Sequence, residues 1–234
     1  MTKSLPYDRV LVVASHPDDE VLGCGATVSR LARQGVAVRF LILGEGITSR
    51  QQERNRNEVQ EELSRLIADA ERAAEVVGAE SVEVLDFPDN RFDSVPLLDV
   101  VKAIDERKKQ FNPDLLITHF ENDLNIDHGI TYRAALTTAR PVPNEGVKTF
   151  LSFEVPSSTE YQAGMGQKFT PNFYIEVEEQ DVERKVQAME SYRSERRGRP
   201  HPRAPESIRA LALWRGSNIG AQYAEAFSLI RAIS

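Results

Sequence analysis

The feature that most constrains the fold of this chain is the alternation of short apolar runs with longer amphipathic segments through its first half. Four runs are typical of strands, at 9–15, 36–43, 81–87 and 113–120. The core of the first, VLVVA, is continuously apolar, as expected of a parallel strand that helices cover on both faces. The alternation therefore predicts an α/β fold with a parallel sheet flanked by helices.

The segments between these runs, and others after them, have the periodicity of helices. Apolar residues recur at steps of three and four from Val59 to Val77 and predict a helix that stops at Gly78. The other predicted helices are 20–34, 95–110, one that follows His128, and 180–192. The last third adds predicted strands at 149–155 and 172–177.

Two polar segments interrupt this pattern. The segment 50–58 is too polar to face a core, which makes it a solvated first turn of a helix or a mobile loop. The segment 194–207, with three prolines and four arginines, is predicted to be a long loop. No repeat or linker divides the chain, so we expect a single domain over 1–234.

Charge and composition exclude several classes of protein. The chain has 29 basic and 36 acidic residues, a net charge of −7, so we expect no binding to nucleic acid. Its 41% hydrophobic residues suit a folded domain, and no apolar run reaches the ~18 residues of a membrane span. With no apolar leader and Cys24 as the single cysteine, the expected location is the cytoplasm.

Polar residues crowd the end of the first predicted strand. The five residues 16–20, where a helix is expected to begin, include one histidine and three acids: His16, Asp18, Asp19 and Glu20. Acids at a helix start can serve as caps and complement the helix dipole. Capping does not explain His16, so a metal site is the alternative.

A second polar loop follows the fourth predicted strand, in THFENDLNIDHG at 118–129. It carries His119, Asp123, Asp127 and His128. Because the carboxyl ends of parallel strands open at one edge of a sheet, and ligands bind where strand order reverses, both loops are expected to share a site.

A calcium loop is a rival interpretation of this second segment. The run D-x-N-x-D at 123–127 matches the start of an EF-hand loop. That loop requires Gly at its sixth position and Glu at its twelfth, where this chain has His128 and Ala134. The calcium interpretation therefore fails.

The remaining residues suit a catalytic metal. His16, Asp19 and His128 are available as ligands, and a catalytic zinc commonly takes three such ligands and a water. Asp18 is then free to take a proton from that water, whose pKa the metal lowers to roughly 7. These parts describe hydrolysis at a carbonyl group.

The chain resembles the LmbE/PIG-L-like metal-dependent deacetylases of N-acetyl sugars. The resemblance lies in four segments that span nearly the whole chain: ASHPDDEVLGCGAT at 14–27, LDFPDNRFD at 85–93, IDHGITYRAAL at 126–136 and RGSNIGAQYAEAF at 215–227. It implies a Rossmann-like three-layer sandwich with a mostly parallel sheet. It also implies deacetylation of an N-acetylglucosamine-type sugar or conjugate, with release of acetate.

The resemblance assigns roles to individual residues. His16, Asp19 and His128 match the ligands of Zn²⁺, for which Fe²⁺ is a cellular alternative. Asp18 matches the general base. Asp127 is expected to orient His128, since ligating histidines usually have such a partner.

Three further residues are expected to contact substrate. Asp89 matches a loop carboxylate that meets sugar hydroxyls. Asn125 stands where many relatives have a histidine suited to protonate the leaving amine, which asparagine cannot do. Either Asp18 returns the proton or another acid delivers it, and His201 is the candidate.

The arginines of the 194–207 loop leave the choice of partner open. Arg196, Arg197, Arg199 and Arg203 can meet an anionic substrate, such as a sugar phosphate or nucleotide sugar, or a neighbouring subunit of a homo-oligomer. Two other functions also stay open. One is a metal-dependent hydratase or lyase of small carboxylic acids, and the other is a non-catalytic metal- or sugar-binding protein.

Overall fold

The computed structural model describes residues 5–143, 145–164 and 166–234. Its strands, in chain order, are β1 Arg9–Ala14, β2 Ala37–Gly44, β3 Ser81–Phe87, β4 Leu115–His119, β5 Thr149–Phe153, β6 Phe173–Val177 and β7 Tyr223–Ala232. Its helices are α1 Asp19–Arg33, α2 Gln60–Val77, α3 Leu97–Phe111, α4 Ile126–Thr138, α5 Glu179–Ser191 and α6 Pro205–Ser217. Among these residues no helix has both the length and the apolarity to span a membrane.

The seven strands form one sheet in the order β3-β2-β1-β4-β5-β7-β6. The pairs from β3 to β5 are parallel, and β7 runs antiparallel to both β5 and β6. Strand order reverses between β1 and β4, because the chain builds outward from β1 to β3 and then returns to the other side of β1. The loops after β1 and β4 therefore open next to each other at the carboxyl edge of the sheet.

Alternate residues of β1 point to two hydrophobic cores, one on each face of the sheet. Val10 and Val12 pack with the apolar sides of α1, α2, α5 and α6, whereas Leu11 and Val13 pack with those of α3 and α4. All four side chains are 0–2% exposed. The predicted α/β three-layer sandwich with a mostly parallel sheet is thus confirmed.

Helix α1 is buried along most of its length and carries the first polar loop into the centre of the molecule. Its Gly23 packs directly against Phe153 of β5. A Cβ atom at position 23 would lie 2.4 Å from Cδ2 of that ring, which leaves room only for glycine. This close contact fixes the start of α1 beside the ends of β1 and β4.

Three elements differ from the predictions. Helix α4 begins at Ile126 and thus before His128, because Asn125 caps it: its Oδ1 accepts the N–H of Asp127 at 2.9 Å. The predicted 194–207 loop ends early, since α6 begins at Pro205, where proline suits the first helical position. Neither α6 nor β7 was predicted.

The polar segment 50–58 ends in an exposed 3₁₀ turn, Arg56–Val59, that leads directly into α2, in keeping with a solvated first turn. Its start overlaps a second 3₁₀ turn, Thr48–Arg50. Arg54 and Arg56 both pair with the buried carboxylate of Glu45, at 2.7 and 2.8 Å. Charge pairing, rather than apolar packing, fixes this segment against the end of β2.

Asp181 connects α5 to α1, and Asp181→Asn is expected to lower the free energy of unfolding by about 1–3 kcal/mol at pH 7. The buried carboxylate accepts bonds from Ser29 Oγ at 2.7 Å, Arg33 Nη2 at 2.8 Å and the N–H of Glu178 at 3.0 Å. Burial raises the pKa of Asp181, but Arg33 and these donors outweigh it, so the pKa lies below its usual value.

The effect of this substitution should depend on pH. A depressed native pKa stabilises the fold above about pH 4, and that contribution is lost as the pH falls through the native pKa. The difference between wild type and variant in urea unfolding should therefore shrink in acid. Glu183→Gln, which removes a half-exposed pair with Arg209, is the control and should cost less than about 1 kcal/mol. An equal loss from both variants would contradict this account.

Candidate metal centre

The three predicted ligands lie together at the carboxyl edge of the sheet. His16 follows β1, Asp19 opens α1 and His128 lies in the first turn of α4. One ligand atom from each lies within 4.8 Å of the others. Asp19 Oδ2 is at the centre, 3.3 Å from His16 Nδ1 and 3.2 Å from His128 Nε2.

The side chains of this trio fit a metal ion. His128 is 2% exposed, and within the described part of the chain neither of its ring nitrogens makes a hydrogen bond of acceptable geometry. A buried polar atom without a well-formed hydrogen bond costs about 1–3 kcal/mol, and a cation between His128 Nε2 and Asp19 would offset that cost. Two imidazoles and one carboxylate form the donor set of Zn²⁺ and Fe²⁺ sites.

Each histidine of the trio has a carboxylate close to the ring nitrogen that faces away from Asp19, but the pairing differs from the predicted one. Asp127 Oδ2 lies 3.0 Å from Nε2 of His16, which leaves Nδ1 toward Asp19. His128 instead has Asp123, whose Oδ1 is 3.1 Å from its Nδ1. The prediction that Asp127 orients His128 is wrong, because consecutive residues on a helix point in different directions.

Asp123 is the residue of this site that the sequence interpretation passed over when it rejected a calcium loop. Ser158 Oγ and Thr159 Oγ1 both donate to it, the latter at 2.5 Å. Burial raises the pKa of Asp123, but His128 and the two hydroxyls outweigh it and bring the pKa to about 2. Burial lowers the pKa of His128, yet the charges of Asp19 and Asp123 raise it to about 9. A metal ion bound at His128 would therefore displace a proton from its ring.

His119 supports the trio without joining it. Its Nε2 accepts the N–H of Ser15 at 2.8 Å, which ties the end of β4 to the end of β1. Its ring stacks on that of His128 with centroids 3.9 Å apart. Burial and the charge of His128 hold the pKa of His119 well below its usual value, so the ring is neutral.

Asp18 has an unusual backbone conformation, with φ of 111°. Such left-handed geometry costs a non-glycine residue about 1–3 kcal/mol and needs support from its surroundings. Glu20 Oε2 accepts the N–H of Asp18 at 3.1 Å, and Tyr192 Oη donates to Glu20 Oε1 at 2.5 Å. The Asp18 side chain makes no capping bond to α1, so capping accounts for Glu20 but not for Asp18.

Arg203 of the arginine-rich loop enters the site and pairs with Asp18. Its Nη1 lies 2.5 Å from Asp18 Oδ2, and its Nε donates to Ser157 Oγ at 2.8 Å. Burial raises the pKa of Asp18 well above its usual range, and the charge of Arg203 opposes that shift. The sequence interpretation placed Arg203 at a substrate or a subunit contact, since the loop has no periodicity that could fix its position.

These residues surround a cleft of about 160 Å³. Its lining is mostly polar and comprises His16, Pro17, Asp18, Asp19, Gly46, Ser49, Arg50, Asp89, Asn90, Asn125, His128, Val155, Ser157, Ser158, Glu195 and Arg203. Arg50 pairs with Glu195, which also lies 3.4 Å from Arg203 Nη1. The cleft is therefore lined by charges of both signs.

The other predicted contacts differ in their access to this cleft. Asp89 lines it, with Oδ2 accepting from Ser49 Oγ at 2.5 Å. Asn125 also lines it, and its Nδ2 donates to Asn90 Oδ1 at 2.8 Å. His201 is not among the lining residues, and its Nδ1 accepts the backbone N–H of Arg203 at 3.1 Å.

Comparison with known proteins places this arrangement in a family. The model described as PIG-L, GlcNAc-PI de-N-acetylase, matches residues 11–139, more than half of the chain. The chain belongs to the PIG-L family. The matched segment contains most of β1 and all of β4 and α4, and with them the trio and Asp18. The resemblance noted in the sequence is confirmed.

Two curated relatives extend over most of the chain. The uncharacterized deacetylase YaiS of Escherichia coli (strain K12) is 26% identical over 190 residues, which is 79% of this chain and 90% of YaiS. The diacetylchitobiose deacetylase of Thermococcus kodakarensis is 23% identical over 239 aligned positions, 96% of this chain and 84% of that protein.

Solved structures share the fold of this PIG-L-family chain. The N,N'-diacetylchitobiose deacetylase of Pyrococcus horikoshii has a TM-score of 0.75 at 19% identity, covering 97% of this chain and 85% of its own. GalB, the 4-carboxy-2-hydroxymuconate hydratase of Pseudomonas putida KT2440, has a TM-score of 0.72 at 22% identity, covering 97% and 98%. At these identities the likeness establishes the fold alone.

Proposed function

We propose that this chain is a metal-dependent hydrolase that removes the N-acetyl group from an N-acetylglucosamine-type sugar or conjugate. The observation that carries the proposal is the position of Asp18, a carboxylate outside the trio that lines the same cleft. The names of its relatives as deacetylases support the same activity. His16, Asp19 and His128 would hold Zn²⁺, with Fe²⁺ as the alternative.

The chain's own residues account for the movement of the proton. A bound Zn²⁺ would polarise the acetamide carbonyl and acidify a water molecule. Asp18 takes a proton from that water as the water oxygen bonds to the carbonyl carbon. Arg203 stabilises the Asp18 carboxylate beforehand and limits its movement. When the C–N bond breaks, releasing acetate, the amine nitrogen requires that proton.

Asp18 is also the residue placed to return the proton. Asn125 has no proton to deliver, and its two side-chain groups already bond to Asn90 and to the N–H of Asp127. Nδ1 of His201 is bonded to the backbone of Arg203, and its ring lies outside the cleft lining. We therefore assign both proton transfers to Asp18.

Tyr192→Phe is expected to lower kcat by roughly tenfold and to leave KM nearly unchanged. This loss is smaller than the roughly 10²–10⁴-fold contribution of a proton-transfer group, because Tyr192 does not itself transfer a proton. The tyrosine acts through Glu20, which holds the backbone of Asp18 in its left-handed conformation. The variant keeps the ring in the core and removes only the hydroxyl. Steady-state kinetics with thermal unfolding would test this.

Tyr132→Phe is the matched control, since that tyrosine is also buried but packs with Phe150 on the other face of the sheet. It should leave kcat unchanged. A fall in kcat for both variants that tracks their melting temperatures would mean that Tyr192 only stabilises the fold.

Release of a primary amine is the direct test of the proposed function. Zinc-loaded and iron-loaded protein would be incubated with N-acetyl sugars, sugar phosphates, nucleotide sugars and glycosides, with Asp18→Asn as the blank. Equal amounts of acetate and amine from the wild type would support deacetylation. No release from protein that holds one metal ion per chain would overturn it.

Hydration of a small unsaturated carboxylic acid is the second candidate. Arg50 and Arg203 line the cleft, and guanidinium groups bind carboxylates in two-pronged geometry. GalB, which is named as a hydratase, has the same fold. Loss of the ultraviolet absorbance of a conjugated acid, without amine release, would favour this candidate. A non-catalytic binding protein would have no use for Asp18 beside the trio.

A further inference from the structure

A second and larger cavity lies beside the metal cleft, between the segment after β3 and the start of α4. It encloses about 510 Å³. Its apolar lining comprises Phe92, Val95, Leu97, Leu124, Ile126 and Ile130. We call this space the side cavity. None of the residues given a role in the proton transfers lines it.

The side cavity and the metal cleft share a wall. Asn125 lines both spaces, and its bond to Asn90 spans the boundary. Asp123 also lines the side cavity, while its Oδ1 contacts the ring of His128. Asn125 therefore separates the two spaces, and a ligand that uses both has to pass over its side chain.

The sizes of the two spaces suit a ligand that uses both. Ligand pockets usually enclose roughly 300–1,000 Å³, and the cleft alone, at about 160 Å³, is smaller than this. It suits the reacting part of a ligand, and its lining is polar. With the side cavity added, the volume of the site reaches the usual range for ligand pockets. The side cavity also adds apolar side chains to the lining.

Two apolar side chains at the rim of the side cavity are exposed to solvent. Leu124 is 45% exposed and Ile126 is 52% exposed, although both flank the helix cap at Asn125. The charged residues of the lining are Asp93, Glu121, Asp123 and Arg133, three acids and one base, which do not favour an anion. Contact with an apolar group would remove the two aliphatic side chains from water.

We propose that the side cavity receives an apolar group, alkyl or aryl, that the substrate carries beyond its acetamido sugar. This inference rests on the proposed function. It narrows the substrate to conjugates with an apolar aglycone. A second copy of this chain could also cover the exposed leucine and isoleucine, and the experiment separates the two.

The test compares hexyl and methyl glycosides of N-acetylglucosamine, in both anomeric forms. The wild type is expected to show a kcat/KM for the hexyl glycoside at least about tenfold above that for the methyl glycoside, since even one methylene in an apolar pocket contributes about that much. Leu124→Ser should reduce this ratio to near one. Leu213→Ser, at a leucine that is 51% exposed on α6 across the sheet, should leave it unchanged.

Calorimetric binding of hexyl and methyl glucosaminide, the amine products, gives a readout independent of turnover. A hexyl preference in binding that Leu124→Ser removes would support the side cavity even if no amine were released, an outcome that would overturn only the deacetylase proposal. Amine release with equal hexyl and methyl kinetics would overturn the side cavity alone. A dimer in light scattering that Leu124→Ser dissociates, without a hexyl preference, would assign this surface to self-association and overturn the inference.

Discussion

Asp18→Asn is expected to lower the rate of amine release by roughly 10²–10⁴-fold, the range for a positioned proton-transfer group. Asparagine has nearly the same shape and can still accept a bond from Arg203, but it cannot take a proton from water. The metal should be retained, because Asp18 is not one of the three residues whose ligand atoms converge. Metal analysis and single-substrate kinetics on the same preparation would check both statements.

The matched control is Asp99→Asn, an exposed acid on α3 that lines neither the cleft nor the side cavity. It should keep the wild-type rate on N-acetylglucosamine. An Asp18→Asn protein that holds its metal and releases amine at more than a tenth of the wild-type rate would remove Asp18 from the mechanism. The trio would then have to work with another base.

His128→Ala is expected to abolish stoichiometric metal binding and, with it, all measurable activity. Loss of a partner behind a ligand already lowers metal affinity by about 10–100-fold, and loss of the ligand itself should exceed that range. The variant also leaves Asp19 and Asp123 without the imidazole between them. Equilibrium dialysis against buffered Zn²⁺, followed by metal analysis, gives the affinity directly.

His201→Ala provides the comparison for this experiment. It removes a histidine of the same chemistry that lies outside the trio and bonds to the backbone of Arg203. It should bind one metal ion per chain like the wild type. If His128→Ala also retained a tightly bound ion, the ligand set proposed from His16, Asp19 and His128 would be wrong.

Strands β1, β2 and β4 could be predicted because they are buried on both faces along most of their length. Continuous apolar runs such as residues 10–14 have no solvent-facing alternative, so their position in the chain determines their role. The last third lacks such runs. Strand β7 mixes polar and apolar residues, as its position and pairing near the end of the sheet allow, and α6 directly follows a proline- and arginine-rich loop.

The site shows the same limit. The sequence could place His16, Asp19 and His128 together, since each follows a strand end at one edge of a parallel sheet. It could not place Arg203 or Tyr192, which contact Asp18 and Glu20 from 185 and 172 residues away. No local spacing rule covers such distances. The exchange of partners between Asp123 and Asp127 depends on helix geometry that begins only at Ile126.

The position of β7 between β5 and β6 has a consequence for how the molecule is made. In the described sheet β6 pairs only with β7, which is synthesised about 45 residues later. During synthesis on the ribosome, β1 to β5 can pair with one another before β7, the strand partner of β6, has been made. Arg203 lies between those two strands in the chain and is therefore synthesised before β7. We expect a nascent chain that ends after α6 to contain Asp18, Tyr192 and Arg203 while its β6 still has no strand partner.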